Sequence, residues 1–370
     1  MGQRTSALEA LGGLIMFDIS FYKGKKIFVT GHTGFKGSWL CCMLTLLGAQ
    51  VTGYSLAPPT TPNLFTLCGT QQKINSIIAD VRDMDALKKA FFESNPQIVL
   101  HLAAQPIVRE SYEKPVDTYA INVMGTVHLL ECVRLATADG KAPLSVLNVT
   151  TDKVYLNQEW CWGYREDEKL DGFDPYSNSK SCSELVTHSY CRSFFKPLNI
   201  PVSTVRAGNV IGGGDFARDR IIPDCIRATA QGSPILVRNP HSIRPYQHVL
   251  EALAAYLMIA QRQVENPDLA DWYNVGPDDC DCVTTGQLVD LFCETWGSDA
   301  IRENRIQENA PHEANFLKLD CTKLKTRFGW SPRWHIQEAV GKTVEWAKHW
   351  CSGGDISALM DKQIMEYLEE

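Results

Sequence analysis

Apolar residues along this chain fall into short β-branched runs, separated by stretches in which they recur at helical spacing. KKIFVTG (Lys25–Gly31) is such a run, closed by glycine, and SWLCCMLTLLG behind it is apolar at helical spacing. AQVTGYSL reads as the next strand, INSIIADVRD (Ile74–Asp83) has strand character, and MDALKKAFFES reads as a helix. PQIVLHLAA, LSVLNVTT and IPVSTVRAGNVIG are further strands, with DTYAINVMGTVHLLECVRLA and YSNSKSCSELVTHSYCRSFF as the helices between them. Apolar runs of roughly four to eight residues suit strands buried on both faces, and their alternation with helices predicts βαβ units. The expected fold class is therefore α/β: a Rossmann-type doubly wound parallel sheet, followed by a smaller C-terminal α/β substrate-binding domain. That second part is announced near Gly212, where glycine, proline and arginine become frequent and the elements shorten.

Composition narrows the function classes without choosing one. A chain of 370 residues with 44% hydrophobic content supports one large domain or two ordinary ones. A net charge of -7 argues against nucleic acid or a membrane surface as partner. An anionic substrate would have to be met by a local group of arginines. No apolar run approaches the roughly 18–20 residues that span a bilayer. The 13 cysteines are scattered, without paired CxxC knuckles, and the histidines complete no zinc pattern. Reduced thiols of a cytoplasmic protein are the expected reading, with no metal.

Two motifs carry chemistry. TGHTGFKG sets Gly31, Gly34 and Gly37 three apart between the first strand and its helix. Glycine there permits a tight turn and close approach of backbone to a pyrophosphate, and the helix N-terminus offers N–H groups to the anion. The acidic residue expected about 20 residues on is absent from VTGYSLAPP, leaving Ser55 as the candidate for the ribose and Asp80, in ADVRD, for the adenine. No arginine stands near to favour a 2′-phosphate, so NAD is expected over NADP. The second motif is Tyr176 and Lys180 in PYSNSK, four apart and on one helical face. A lysine beside a tyrosine is expected to lower the phenol pKa and make a base of it. YxxxK alone is weak: Tyr22 and Lys26 match it before the first strand. The second pair gains weight from TTDK (Thr150–Lys153), two hydroxyls, an acid and an ammonium at the end of a buried-looking strand.

Together with HLAAQ (His101–Gln105), Asn122 in AINVMGT and RAGNVIG (Arg206–Gly212), these motifs resemble the extended short-chain dehydrogenase/reductases. The nucleotide-sugar 4,6-dehydratases are the nearest branch, over about Phe17 to Trp346. Where other members of that branch carry Asp-Glu, this chain has Asp152-Lys153, which is similar to the members acting on CDP-glucose. The resemblance implies NAD-dependent conversion of CDP-D-glucose to its 4-keto-6-deoxy derivative plus water, towards 3,6-dideoxyhexoses of bacterial O-antigen. Another nucleotide-sugar 4,6-dehydratase, on TDP-glucose or GDP-mannose, or a 4-epimerase, is the alternative.

In that scheme Thr151, Asp152, Lys153, Tyr176 and Lys180 are catalytic, with Lys153 either the base for the C5 proton or a fixed charge. The cofactor would meet Gly31, Thr33, Gly34, Phe35, Gly37, Ser55, Asp80, Val81, Leu102, Ala103, Ala104, Gln105, Asn122, Thr150, Tyr176, Lys180 and Arg206. The substrate would meet Asn209, Arg218, Arg220, Arg238, Arg244 and Asn274. The implied organisation is an extension or tag over 1–16, an NAD-binding domain over 17–206 with a returning segment at about 244–273, and a nucleotide-sugar-binding domain over 207–243 and 274–370. A homodimer through a helix bundle is implied, with a tetramer as the alternative.

Overall fold

The β-branched runs assemble into one seven-stranded sheet in a computed structural model, which describes residues 17–305 and 315–369. The expected extension at 1–16 lies outside the described residues. The strands are β1 (Lys26–Thr30), β2 (Gln50–Ser55), β3 (Asn75–Ile78), β4 (Ile98–His101), β5 (Ser145–Thr151), β6 (Val202–Ala207) and β7 (Trp272–Val275). They lie in the order β3-β2-β1-β4-β5-β6-β7, and every neighbouring pair is parallel. This is the doubly wound α/β fold. The helices named below are α1 (Phe35–Leu46), α2 (Met84–Ser94), α3 (Gly125–Ala138), α4 (Pro175–Tyr190), α5 (Ile221–Ala230), α6 (Val249–Glu265), α7 (Ile336–Cys351) and α8 (Ile356–Glu369).

The central strands are buried along their whole length because both faces of the sheet are covered. Every residue of β4, β5 and β6 is buried. Alternate residues enter opposite cores, as a two-residue period requires. Ile27, Val29, Ile98, Leu100, Leu147 and Val149 pack with Trp39, Leu253 and Leu257 of α1 and α6. Phe28, Val99 and Val146 pack with Phe91, Leu129 and Val133 of α2 and α3.

β7 was not among the strands expected, since Trp-Tyr-Asn-Val contains no β-branched run. Pairing creates it: Trp272 through Val275 lie in register with Thr204 through Ala207 of β6. Between β6 and β7, and again after β7, the chain builds three small two-stranded pairs. Val210–Ile211 meets Gln247–His248, Ile235–Val237 meets Arg302–Asn304, and Ile243–Arg244 meets Val283–Thr284. The C-terminal α8 returns to pack against α1. Trp39, fully buried on α1, donates its indole N–H to the Gly213 carbonyl at 2.9 Å, while Trp346 of α7 fills the space where a Gly213 side chain would go. The chain beyond β6 is thereby tied to the helix that follows the glycine loop.

Candidate active site

The strand order reverses between β1 and β4, so a crevice opens beyond their carboxyl ends, where α/β sheets take their ligands. The glycine loop forms one wall. Gly31 has φ +78°, and a Cβ there would stand 2.7 Å from the Ala103 nitrogen; one at Gly37 would stand 2.1 Å from the Gly31 carbonyl oxygen. Only glycine allows the turn and the helix to sit this close to the β4 end. Gly34 is the N-cap of α1 and provides no side-chain cap, which leaves the first N–H groups of α1 for an anion. This cradle fits a dinucleotide pyrophosphate.

The other expected cofactor residues surround the crevice in two layers. Thr33 and Ser55 share a hydrogen bond of 2.9 Å at the β2 end. Asp80, past β3, holds Arg82 at 2.7 Å, and that cation keeps its carboxyl below the usual range. Val81 packs against Gly125. Leu102, Ala103, Ala104 and Gln105 run out from β4, and the Leu102 and Ala103 N–H groups both donate to the Thr30 hydroxyl. Asn122 is buried behind them: it accepts from the Gln105 N–H and donates to the Gln105 carbonyl and to Ser179. Its amide fixes the Gln105 backbone instead of facing the crevice.

At the β5 end the chain turns sharply, and chemistry collects. Thr151 caps a short turn by accepting the Lys153 N–H and donates to Asp152 Oδ1 at 3.0 Å. Asp152 is 1% exposed, and its Oδ2 has no partner. Burial raises its carboxyl above the ordinary range, while Lys153, the Thr151 bond, Arg244 and Lys36 pull it back. Tyr176 and Lys180 enter from α4, which starts on the Asp174 cap and Pro175. The Tyr176 phenol lies near enough to Thr151 for that hydroxyl to act on it.

One expectation is reversed in sign. Burial pushes the Tyr176 phenol up to about 12, Asp152 adding to the rise and Thr151 and Arg220 opposing it. Lys180 is not among the groups that act most on the phenol, and its ammonium donates to the Val149 carbonyl at 3.1 Å. Lys180 is itself brought down to about 8 by burial and then by Lys36, with Glu184 opposing.

Besides Asn122, three expected ligand residues belong to the framework. Arg206, expected at the cofactor, is 1% exposed and binds Glu184 at 2.5–2.9 Å, the Tyr155 hydroxyl and the Glu166 carbonyl. Thr150 donates to that same Glu184 at 2.6 Å. Asn274, expected at the substrate, is fully buried and bonded to the Tyr164 and Asp320 carbonyls and the Tyr155 hydroxyl. These side chains are committed to buried protein partners, a choice that motif position does not reveal. Of the arginines, Arg220 pairs with Asp215 and Arg238 with Asp219, both at 2.8 Å. Arg244 is buried and donates to the Ile243 carbonyl, Asn209 gives its carbonyl to the Gln247 N–H, and Arg218 is exposed.

Lys36 is the residue that sequence reasoning missed. It lies in the first turn of α1, and it interacts with Asp152, Arg220 and Lys180. The signal was present: a lysine between Phe35 and Gly37 opens an otherwise apolar helix, but TGHTGFKG was read for its glycines alone.

All 13 cysteines are free thiols. Among the described residues one group could hold a metal: Cys280, Asp281 and His335, with ligand atoms within 4.8 Å. There Asp281 accepts from the Ile336 N–H at the start of α7 and bonds the His335 ring. No helix of the described residues is long and apolar enough to cross a membrane.

Residues 28–343 match the family described as GDP-mannose 4,6 dehydratase. The chain is 48% identical over 361 residues to a CDP-glucose 4,6-dehydratase of Salmonella typhimurium, covering 95% of this chain and 99% of that protein. A probable dTDP-glucose 4,6-dehydratase of Sinorhizobium fredii is 27% identical over 334 residues, 87% of this chain and 92% of its own. Among solved structures, the UDP-glucose 4-epimerase of Thermotoga maritima with UDP-glucose superposes with a TM-score of 0.75 at 21% identity, over 88% of this chain and 99% of that one. The Thermus thermophilus UDP-glucose 4-epimerase in complex with NAD gives 0.74 at 23%, over 87% and 98%. These two likenesses are of fold.

Proposed function

Because the chain belongs to the GDP-mannose 4,6-dehydratase family, we propose that it converts CDP-D-glucose to CDP-4-keto-6-deoxy-D-glucose and water, using NAD. The observation that carries this reading is the Thr151–Asp152–Lys153 turn near Tyr176: a carboxyl and a lysine side chain adjoin the hydroxyl and phenol that oxidation alone would need. Nearly full-length identity of 48% to a CDP-glucose 4,6-dehydratase supports the choice of nucleotide.

The glycine loop, Ser55, Asp80 and the 102–105 segment would hold the cofactor. When bound, NAD supplies the hydride acceptor for C4, the hydride returned to C6, and a positive charge that favours phenolate. The remaining tasks fall to side chains. Tyr176 takes the C4 hydroxyl proton, and Thr151, near Tyr176, orients that hydroxyl. Once C4 is a ketone the C5 proton is acidic, and Lys153 removes it. Asp152, kept protonated by burial, gives its proton to the C6 oxygen, which leaves as water. Lys180 braces the β5 end through Val149. Arg220 and Arg244, with Asn209, Arg218 and Arg238, are assigned to the sugar nucleotide, whose pyrophosphate needs cations in an otherwise acidic protein. Residues 17–206, with about 244–273, form the cofactor domain of this reading; residues 207–243 and 274–370 form the sugar-nucleotide domain. The enzyme acts in the cytoplasm as a homodimer or tetramer, and its product starts the route to 3,6-dideoxyhexoses.

Incubation with CDP-, TDP-, UDP- and GDP-hexoses tests the reading, scored by the alkali-dependent absorbance of a 4-keto-6-deoxy sugar and by loss of one water in the product mass. CDP-glucose should be turned over preferentially, and Tyr176→Phe should lower kcat by about 10²–10⁴-fold. Turnover of TDP-glucose without CDP-glucose overturns the nucleotide assignment. A product of unchanged mass makes the protein an epimerase. Lys153→Met should lose exchange of the C5 deuteron while keeping C4 oxidation.

A further inference from the structure

The chemistry above gives no task to Lys36, a charged residue of the glycine-loop side that acts on Asp152 and Lys180. It stands in the first turn of α1, directly before Gly37, whose missing side chain seats that turn on Gly31 and His32. Its backbone is therefore held by close packing of α1 on the glycine loop. From there the side chain turns inward, with its ammonium 6.0 Å from the centre of the buried Tyr256 ring. The charges it feels come from three other elements: Arg220 before α5, Asp152 after β5 and Lys180 on α4.

Asp152 needs such a neighbour. Its Oδ1 already has the Thr151 hydroxyl, and its Oδ2 is buried with no partner. When Asp152 protonates the leaving oxygen, the carboxyl becomes a buried carboxylate, and an uncompensated buried charge is expensive. The cations acting on it are Lys153, Arg244 and Lys36. Lys153 must handle the C5 proton, and Arg244 donates to the Ile243 carbonyl in the substrate lobe. Lys36 alone is free of both tasks and anchored to the cofactor lobe.

We propose that Lys36 is a positioning residue for the elimination step: acting through Asp152, its ammonium stabilises the carboxylate left when the proton moves to the departing C6 hydroxyl. The inference rests on the dehydration reading. In balance, the C5–H bond breaks and its electron pair forms the C5–C6 double bond. The C5 proton goes to Lys153, the C6–O bond breaks, the Asp152 proton completes a water molecule, and Asp152 is left anionic within the influence of Lys36. Burial, and then repulsion from Arg220, bring Lys36 down to about 8, with Asp152 opposing, so the ammonium form prevails at neutral pH.

Single-turnover kinetics with NAD and CDP-D-glucose separates the steps, since reduced-nicotinamide absorbance reports C4 oxidation and the 4-keto-6-deoxy product reports elimination. In Lys36→Met, oxidation should persist within about twofold while elimination slows about ten- to hundredfold, so that the absorbance accumulates and decays slowly. Lys36→Arg should restore most of the elimination rate. Loss of one cation also raises Asp152 further, so the alkaline limb of the elimination profile should move up in pH, a shift that a merely structural role leaves out. Equal slowing of both steps, or no slowing, overturns the proposal. So does failure of Lys36→Met to bind NAD by titration, which assigns the lysine to the cofactor. If Lys36→Met does not fold by circular dichroism, Lys36→Gln answers the same question. A wild-type protein that makes no 4-keto-6-deoxy sugar sinks the dehydration reading itself, a distinct result.

Discussion

Glu184 and Asp152 are two carboxyls buried near the ends of the same strands, 0% and 1% exposed, and they are opposites. Glu184 accepts from Thr150 and from two nitrogens of Arg206, so its charge is neutralised on the spot. Asp152 has one oxygen bonded to Thr151, the other unpartnered, and its cations stand off. Burial alone does not distinguish a structural acid from a chemical one. Completeness of hydrogen bonding does, because a group that must exchange a proton with a substrate has to keep a place for it.

The sharpest way to break this contrast is to unpair Glu184. Arg206→Met leaves a carboxylate buried without its cation and should destabilise the protein by about 3–5 kcal/mol, read from chemical denaturation. Adding Glu184→Gln should recover part of the loss, and an unchanged midpoint in the single variant would show that the pair is not what holds this layer. At Asp152 the expected pattern is inverted. Asp152→Asn should lower turnover by about 10²–10⁴-fold with stability unchanged or improved, because a strained buried acid is removed. A large stability loss there would erase the distinction.

A smaller effect appears in the pH dependence of stability. Lys180 has a folded pKa near 8, below its ordinary value, because of burial and Lys36. The folded state therefore holds fewer protons than the unfolded chain between about pH 8 and 10.5, and the burial cost, present in full below that window, fades as pH rises through it. Lys180→Met escapes that cost. Its stability advantage over the wild type should be greatest near pH 7 and shrink towards pH 10.5; a constant difference contradicts the assignment. Last, Arg218→Ala should change stability by no more than about 0.5 kcal/mol, with any effect confined to KM. It is the exposed counterpart to Arg206.

Much of the fold could be read from the sequence because β1, β4, β5 and β6 are short runs rich in apolar and β-branched residues and the helices between them are long. β7 could not, since its strand character comes from pairing with β6 and not from its own residues. The same limit governs the site. Tyr176, Lys180, Thr151 and Asp152 were legible because i to i+4 spacing and adjacency place them together whatever surrounds them. Arg206 and Asn274 were misplaced because strand side chains alternate faces, and the motif fixes a residue's position along the strand but not which side it serves. The phenol shift of Tyr176 was misjudged for a related reason. Four-residue spacing shows that Lys180 is near, while the Val149 carbonyl that claims its ammonium comes from another part of the chain.

The single step from Thr150 to Thr151 has a consequence for how such a protein diversifies. One hydroxyl belongs to the Glu184 network, and its neighbour bonds Asp152, the acid of the proposed elimination. Mutations at 151–153 can therefore explore new proton-transfer chemistry while the adjoining network goes on folding the chain. Selection for reaction type and selection for persistence act on neighbouring codons almost independently, and a glutamate-to-lysine exchange at the position of Lys153 is the kind of change this separation tolerates.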